Sequence, residues 1–446
     1  MPAKELNMQT PWSHQVVREE FDEEIRLLIA SLNDKLIADT ASAPLDDTPA
    51  PQLLVDHAHR TTLWSLAALY LSHADAQAAS TKARPSAAQH YTALHDLYYS
   101  GATEGEPNDA TRSGSTPSPT AQPTEHSRPH NNEQTLIIAE ALAHAAVAGI
   151  DGALDDLRHL LRDKEKHWWD PRHGLIRTAG GAHHSAPFDL GSNVYAIGVF
   201  LLASDVTGER IWADRARFIA HALHQNLPPT SLIWATVLHP DDAHGEQRHA
   251  ATHAHPRATR AVLDAEQRTR IYFLWVRNLL HLRARIIEDG DEAPEWMLHD
   301  AWQIYRWIMA TSWPARADGF TPLIQQVVQP SAAQLSPLVE AVSATEALGK
   351  TIEYDEGRDE WLAQLSADFA LAMTWADTHL RQSPGQWRNT TARGHSEVSE
   401  EADSHEGALA ALLSALMLAR LPLTPSLPVS LEEGYLAPLR AAQETG

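Results

Sequence analysis

The chain has 446 residues, 35 of them basic and 58 acidic, for a formal net charge of −23 with histidine neutral. This balance excludes a phosphate backbone as partner, which would need a basic stripe, and it suits a neutral small molecule. Cysteine is absent, so disulfides, a thiolate nucleophile and Cys-ligated metals are excluded.

In chain order, residues 1–20 lack the apolar stretch of a secretory signal. No run approaches the roughly 18 apolar residues that span a bilayer, so a cytoplasmic chain without a membrane partner is expected. Helical periodicity predicts helices over 12–38, 52–79, 86–100, 133–149, 151–168 and 193–206. Six more fall over 209–226, 265–288, 295–312, 333–351, 357–381 and 403–421. The pair at 191–216 is the clearest. Tyr195, Val199, Leu202 and Val206 recur at helical spacing, Thr207-Gly208 breaks the helix, and Trp212, Ala216, Ile219, Ala220 and Leu223 mark one face of the next. Strand-like alternation is scarce. The 43% apolar share supports a large core, and 14 Trp with 9 Tyr point to an aromatic-lined cavity or heavily packed helices.

Helices joined by short turns imply antiparallel pairs that close on themselves, because an open stack would need capping repeats. The expected fold is all-α, an (α/α)6 barrel forming one domain over 1–446. A weak repeat supports it: WWDPRHGLI (168–176), WPARADGFTPLI (313–324) and SPGQWRN (383–389) follow helix ends. Gly174, Gly319 or Gly385 supplies the left-handed turn in each. Residues 101–132 are rich in Pro, Ser, Thr and Gly, and residues 239–260 are rich in His; both are expected to be mobile insertions.

The segment 191–216 resembles the N-acylglucosamine 2-epimerase (AGE) superfamily of sugar epimerases and isomerases. In that superfamily a helix opens with Asn-aliphatic-His, a Glu follows three residues later, and a TGD-x-x-W-x-D-R-A turn leads onward. Here the turn runs Thr207 to Ala216, with Tyr195 at the His position and Gly198 at the Glu position. The resemblance extends from about Trp12 to Leu427. It is strongest at 191–216, LWVRNLLHL (274–282) and SHEGALAALLSALMLARLPLTPSL (404–427). In P-G-H-x-x-E-W-A-R-L-L-L, Trp275, Arg277, Leu279 and Leu280 match, while Ile271 and Leu274 fall where the His and Glu belong.

The resemblance implies metal-free and cofactor-free proton transfer next to the carbonyl of a monosaccharide, between two histidines acting as acid and base. His405 is the counterpart of the C-terminal one, with Ser404 where an aromatic is usual. Arg60 of DHAHRTTLW matches the R-M-T-H arginine, and Thr135 stands where a Tyr is usual. Glu340 of SPLVE keeps the acid of W-x-x-A-E, with Ser336 in place of the Trp, and Gly385-Gln386-Trp387 matches a late G-x-W turn.

Each candidate has a plainer alternative. His405 is either the acid/base or a helix-start histidine. Arg60 binds sugar or forms an inter-helix ion pair. Glu340, in an apolar stretch where a lone buried carboxylate is costly, faces a pocket or a structural cation. Asn193 is a helix N-cap or a sugar ligand, and Tyr195 and Trp387 pack or stack on a sugar. His249, His253 and His255 have no adjacent carboxylate to complete a metal site, so no metal is expected. Asp56-His57-x-His59 sits beside Arg60, whose charge disfavours a cation; Asp56 or His57 is a candidate substitute proton carrier for an active cavity.

The sequence thus supports an AGE-type epimerase or isomerase, monomeric or homodimeric, with His405 catalytic and Arg60, Asn193, Tyr195, Glu340 and Trp387 around a sugar. Two alternatives stand beside it. One is a degenerate member that binds a carbohydrate or a partner. The other is an (α/α)6 glycosidase drawing on Asp56, Asp189 and Glu340.

Overall fold

A computed structural model describes residues 15–39, 50–100, 132–178, 188–226, 237–238, 258–312, 335–352, 357–389, 405–424 and 426–433. The expected insertions lie almost wholly outside these residues, as do His249, His253, His255 and the 313–324 repeat with Gly319.

Among the described residues, all but one of the inner helices, the exception being Ala258–Glu288, are more apolar than the outer helices that back them. A helix apolar on nearly every side belongs inside a protein. The inner set is α2 (Ala50–Ala74), α4 (Asn132–Val147), α6 (Leu190–Thr207), α8 (Ala258–Glu288), α10 (Leu335–Ile352) and α12 (His405–Leu418). α10 buries every residue from Leu335 to Gly349, and α2 buries the whole run from Thr61 to Tyr70. The outer set is α1 (Gln15–Asp39), α3 (Arg84–Ser100), α5 (Ala153–Trp168), α7 (Arg210–Asn226), α9 (Glu295–Ser312) and α11 (Asp359–His379). In α7 the buried stripe is Trp212, Ala213, Ala216, Ile219, Ala220 and Leu223, as its spacing predicts.

The inner helices pack in the order α2, α4, α6, α8, α10, α12, and α12 returns to α2. Helices α3, α5, α7, α9 and α11 each back the inner helix before them, and α1 backs α12. The result is the expected (α/α)6 barrel, with the N-terminal helix completing the last hairpin.

Turn chemistry fixes the pairs. Asp189 caps α6 by accepting the Ser192 N–H at 2.6 Å, and Gly208, at φ 71°, ends it with its N–H on Ser204 O at 3.0 Å. This 18-residue helix has the length and hydropathy of a membrane span, contrary to the sequence expectation. Its position in the ring accounts for that, since 72% of it is buried among other helices.

Boundaries differ where side chains intervene. α2 stops at Ala74 because Asp75 accepts the Ala78 N–H at 3.1 Å, and a turn of π-helix (Ala79–Ala83) then leads into α3. α8 starts at Ala258, so the end of the expected 239–260 loop is helical. α12 ends at Leu418 in a tighter turn, with the Leu421 N–H on Leu418 O at 3.0 Å, and Lys350 Nζ donates to Leu418 O at 2.6 Å and also to Leu421 O. A short helix, α13 (Leu427–Glu432), was not anticipated.

Two of the three repeated turns are described, and both are antiparallel hairpins. β1 (Trp169–Asp170) pairs with β2 (Leu175–Ile176), turning at Gly174. There buried Asp170 accepts from Arg177 and His173, both at 2.7 Å, and from the Arg172 N–H at 2.9 Å. Burial alone would raise its pKa, but the hydrogen bonds from Arg177 and His173 hold it at about 2. β3 (Phe188–Asp189) pairs with β4 (Val237–Leu238) ahead of α6.

β5 (Arg381–Ser383) pairs with β6 (Gln386–Trp387) across Gly385, and this hairpin clamps α1. Glu24 Oε1 accepts the Gly385 N–H at 2.9 Å and the Trp387 indole N–H at 2.7 Å, and Arg381 completes the cluster. Gly385 has φ 72°, and a Cβ there would lie 2.3 Å from the Leu27 carbonyl. Gly385→Ala is therefore expected to cost at least about 2 kcal/mol, combining left-handed strain with overlap. Urea unfolding checks this, and an unchanged midpoint would contradict it.

Candidate functional site

The ring encloses a cavity of about 140 Å³. A water needs about 10–15 Å³ of such space, so the cavity has room for roughly ten heavy atoms, on the scale of one monosaccharide. All six inner helices line it. α2 supplies His59 and Thr62, α4 Glu140 and His144, and α6 Tyr195 and Gly198. α8 supplies Arg270, Arg277, Asn278 and His281, α10 Ser336 and Glu340, and α12 Gly407 and Ser414. Leu418 and Ser426, Leu427 and Pro428, at the start of α13, also line it.

The polar wall is organised in pairs. Arg277 Nη1 lies 2.9 Å from Glu340 Oε2, bridging α8 and α10 with both groups largely buried. The Tyr195 phenol donates to Glu140 Oε2, bridging α6 and α4. Burial, reinforced by the Glu140 charge, pushes that phenol well above its ordinary range and keeps it protonated.

One turn further along α4, His144 Nδ1 lies 2.8 Å from the Glu140 carbonyl oxygen. A carbonyl only accepts, so Nδ1 carries the proton and Nε2 is the acceptor of the neutral ring. Burial lowers the pKa of His144 and favours that neutral form. His281 is pushed down to about 3, by burial first and then by the Arg277 and Lys350 charges. His59 reaches the cavity over a glycine: a Cβ on Gly407 would meet its ring at 2.7 Å.

The sequence-derived candidates fall into two groups. Tyr195 and Glu340 line the cavity. His405 opens α12, two residues from cavity-lining Gly407, and is half-buried. Arg60 donates to Glu406 Oε1 at 2.9 Å, tying α2 to α12. Burial would raise the Glu406 pKa, but the Arg60 guanidinium leads the opposing effects that lower it.

Asn193 and Trp387 are corrected to scaffold positions. Asn193 Oδ1 accepts the Ile176 N–H at 2.8 Å, and its Nδ2 donates to Ile176 O and Asp189 O at 2.9 and 2.8 Å. It thus fastens β2 to α6 with every polar atom used, while the cap belongs to Asp189. Trp387 is buried with its indole N–H on Glu24, in the clamp on α1. For the glycosidase reading, Asp189 is likewise a cap, and Asp56 accepts from Gln52 at 3.1 Å on α2. His57 faces His90, with Nδ1 atoms 3.4 Å apart.

The positions where the resemblance expects His and Glu are filled by packing. Leu274 is buried, and Ile271 Cδ1 lies 3.2 Å from a Cβ placed on Gly191. A Cβ on Gly198 would come within 3.0 Å of Asn278 Oδ1, so Asn278 occupies the volume beside it. Glu140, His144 and His281 were missed. The available signal was a charge or imidazole in an otherwise apolar helix, IIAEALAHAAV, where burial demands a partner.

These features define a closed (α/α)6 barrel around a small polar cavity lined by histidines, arginines and carboxylates. A family profile described as N-acylglucosamine 2-epimerase (GlcNAc 2-epimerase) matches residues 118–231. The D-mannose isomerase of Thermobifida fusca is 29% identical over 246 residues, 51% of this chain and 55% of that protein. The chain thus spans about half the length of the curated relative it matches. A crystal structure of D-mannose isomerase superposes with TM-score 0.56 at 13% identity, covering 81% of this chain and 86% of that one. An unsaturated glucuronyl hydrolase specific for heparin gives TM-score 0.55 at 14% identity, covering 91% and 98%. The two structures share the fold. By the profile match over residues 118–231 and the likeness to the D-mannose isomerase, the chain is similar to the N-acylglucosamine 2-epimerase family.

The wall chemistry carries a pH signature. Folded His281 takes its proton near pH 3, whereas an unfolded histidine does so near 6.5. Acid therefore favours the unfolded chain. This contribution is intact above about pH 6.5 and is lost as pH falls toward 3. His281→Leu is expected to flatten the loss of unfolding free energy between pH 7 and pH 5, measured by urea titration. An identical slope in the variant would refute the assignment. Separately, Arg277→Leu removes the guanidinium 2.9 Å from the buried Glu340 carboxylate and is expected to destabilise the fold by up to about 3–5 kcal/mol, read from the same unfolding curves.

Proposed function

We propose that the chain is a sugar epimerase or isomerase that takes a monosaccharide into the central cavity and moves a proton between carbons next to the carbonyl. The observation that carries this reading is the cavity wall itself. It brings two carboxylates and three imidazoles from four inner helices around a volume suited to one monosaccharide. Proton transfer at a carbon acid needs such groups, neutral or ionised as required near pH 7 and shielded from bulk water. The Arg277–Glu340 pair presents fixed donors and acceptors for sugar hydroxyls. His405, which opens α12 two residues before cavity-lining Gly407 and does not itself line the cavity, is the acid/base group carried over from the resemblance, and Arg60 ties α2 to that helix start through Glu406.

A second reading, sugar binding without turnover, draws on the apolar packing at Ile271 and Leu274. The two are separated by incubating the protein with D-mannose, D-glucose and D-fructose in D₂O and reading deuterium at C1 and C2 by NMR. Exchange is expected; His405→Ala slows it by roughly 10²–10⁴-fold if that imidazole transfers a proton, and leaves it near the wild-type rate if other groups of the wall do so. Saturation-transfer contacts with a sugar but no exchange would favour binding without turnover.

A further inference from the structure

Resting on that isomerase reading, we infer that Glu140 is the carboxylate base of the cavity and that Tyr195 positions it. Two carboxylates line the cavity among the described residues, and their surroundings differ. Glu340 has an arginine 2.9 Å away, so its charge is largely spent on a cation. Glu140 is held by a phenol, which fixes one carboxylate oxygen without neutralising the charge. Tyr195 stands where the resemblance expects an imidazole, and its hydroxyl spans the gap between α6 and α4. The volume beside Gly198 is taken by Asn278, whose Nδ2 donates to Val194 O at 2.9 Å. No acid from that turn of α6 competes for the place.

His144 completes the arrangement. It shares a face of α4 with Glu140, and its Nδ1–H is committed to the Glu140 carbonyl, so Nε2 is the free acceptor of the ring. The other charged groups around the dyad are Arg270 on α8 and Glu133 on α4, which lie 3.6 Å apart.

The step balances within the sugar and two side chains. The Glu140 carboxylate takes the C2 proton of an open-chain aldose. The C–H pair becomes the C1–C2 double bond, and the carbonyl pair moves to O1. His144 Nε2 accepts the O2 proton and delivers it to O1. Glu140 then returns its proton to C1 as C2–O2 becomes the carbonyl, giving the ketose with both side chains restored.

The test compares wild type, Glu140→Gln, Glu140→Asp and Tyr195→Phe in the D₂O assay, with sugar contact followed by saturation transfer and folding by melting. Glu140→Gln is expected to lose about 10²–10⁴-fold in exchange while still contacting sugar. Tyr195→Phe is expected to lower kcat about tenfold with KM nearly unchanged, the mark of a misplaced base rather than lost binding. Should the Gln variant melt below the assay temperature, Glu140→Asp decides, with a loss of at least about tenfold expected from the shortened arm. An active wild type matched by both Glu140 variants overturns the dyad alone. A wild type that exchanges with none of the sugars overturns the isomerase reading and the dyad together.

Discussion

Closing a ring of six inner helices is the constraint on which everything else in this chain depends. Each inner helix touches two inner neighbours and one outer helix, so only a narrow strip of its surface is left to face the centre. The contacting sides must be apolar and small, which is why α10 and α12 are rich in Ala, Leu, Val and Ser. Whatever lies on the remaining strip is held by the ring at a fixed place on the cavity wall.

That geometry explains how polar groups survive in such apolar helices. A buried charge is costly unless it is paired, so the groups inside the ring find partners, most of them on another inner helix. Arg277 meets Glu340, Tyr195 meets Glu140, and Lys350 meets Glu346 together with the end of α12. Each bridge links neighbouring or facing inner helices, so the polar network that shapes the cavity also fastens the ring. The outer layer uses charge differently. There, exposed or half-exposed pairs such as Arg162 with Glu209 decorate a surface already held by packing.

Much of the architecture was legible in the sequence because it is written in local spacing. The Trp212-to-Leu223 stripe, the Thr207-Gly208 stop and the Gly174 and Gly385 turns are each set by residues within a turn or two of one another. The site was less legible because its contacts lie between helices. Glu340 was singled out because a carboxylate in an apolar run needs a partner, and the same argument applies to Glu140 and His144 in α4. Asn193 and Trp387 misled for the complementary reason. Both carry hydrogen-bonding groups near the rim, but those groups are consumed by β2 and by Glu24, which no linear spacing reveals.

The place of α1 behind α12 has a consequence for how the molecule comes to exist. The two helices are separated by most of the sequence, yet Phe21, Ile25, Leu28 and Ile29 of α1 are buried in the finished core. That apolar face is covered by a helix far away along the sequence, so local contacts alone cannot bury it. Contacts of such long sequence separation form slowly and leave sticky surface open meanwhile. The barrel is thus closed by a contact between sequence-distant helices, and the Glu24 clamp on the β5–β6 hairpin fastens α1 in that place.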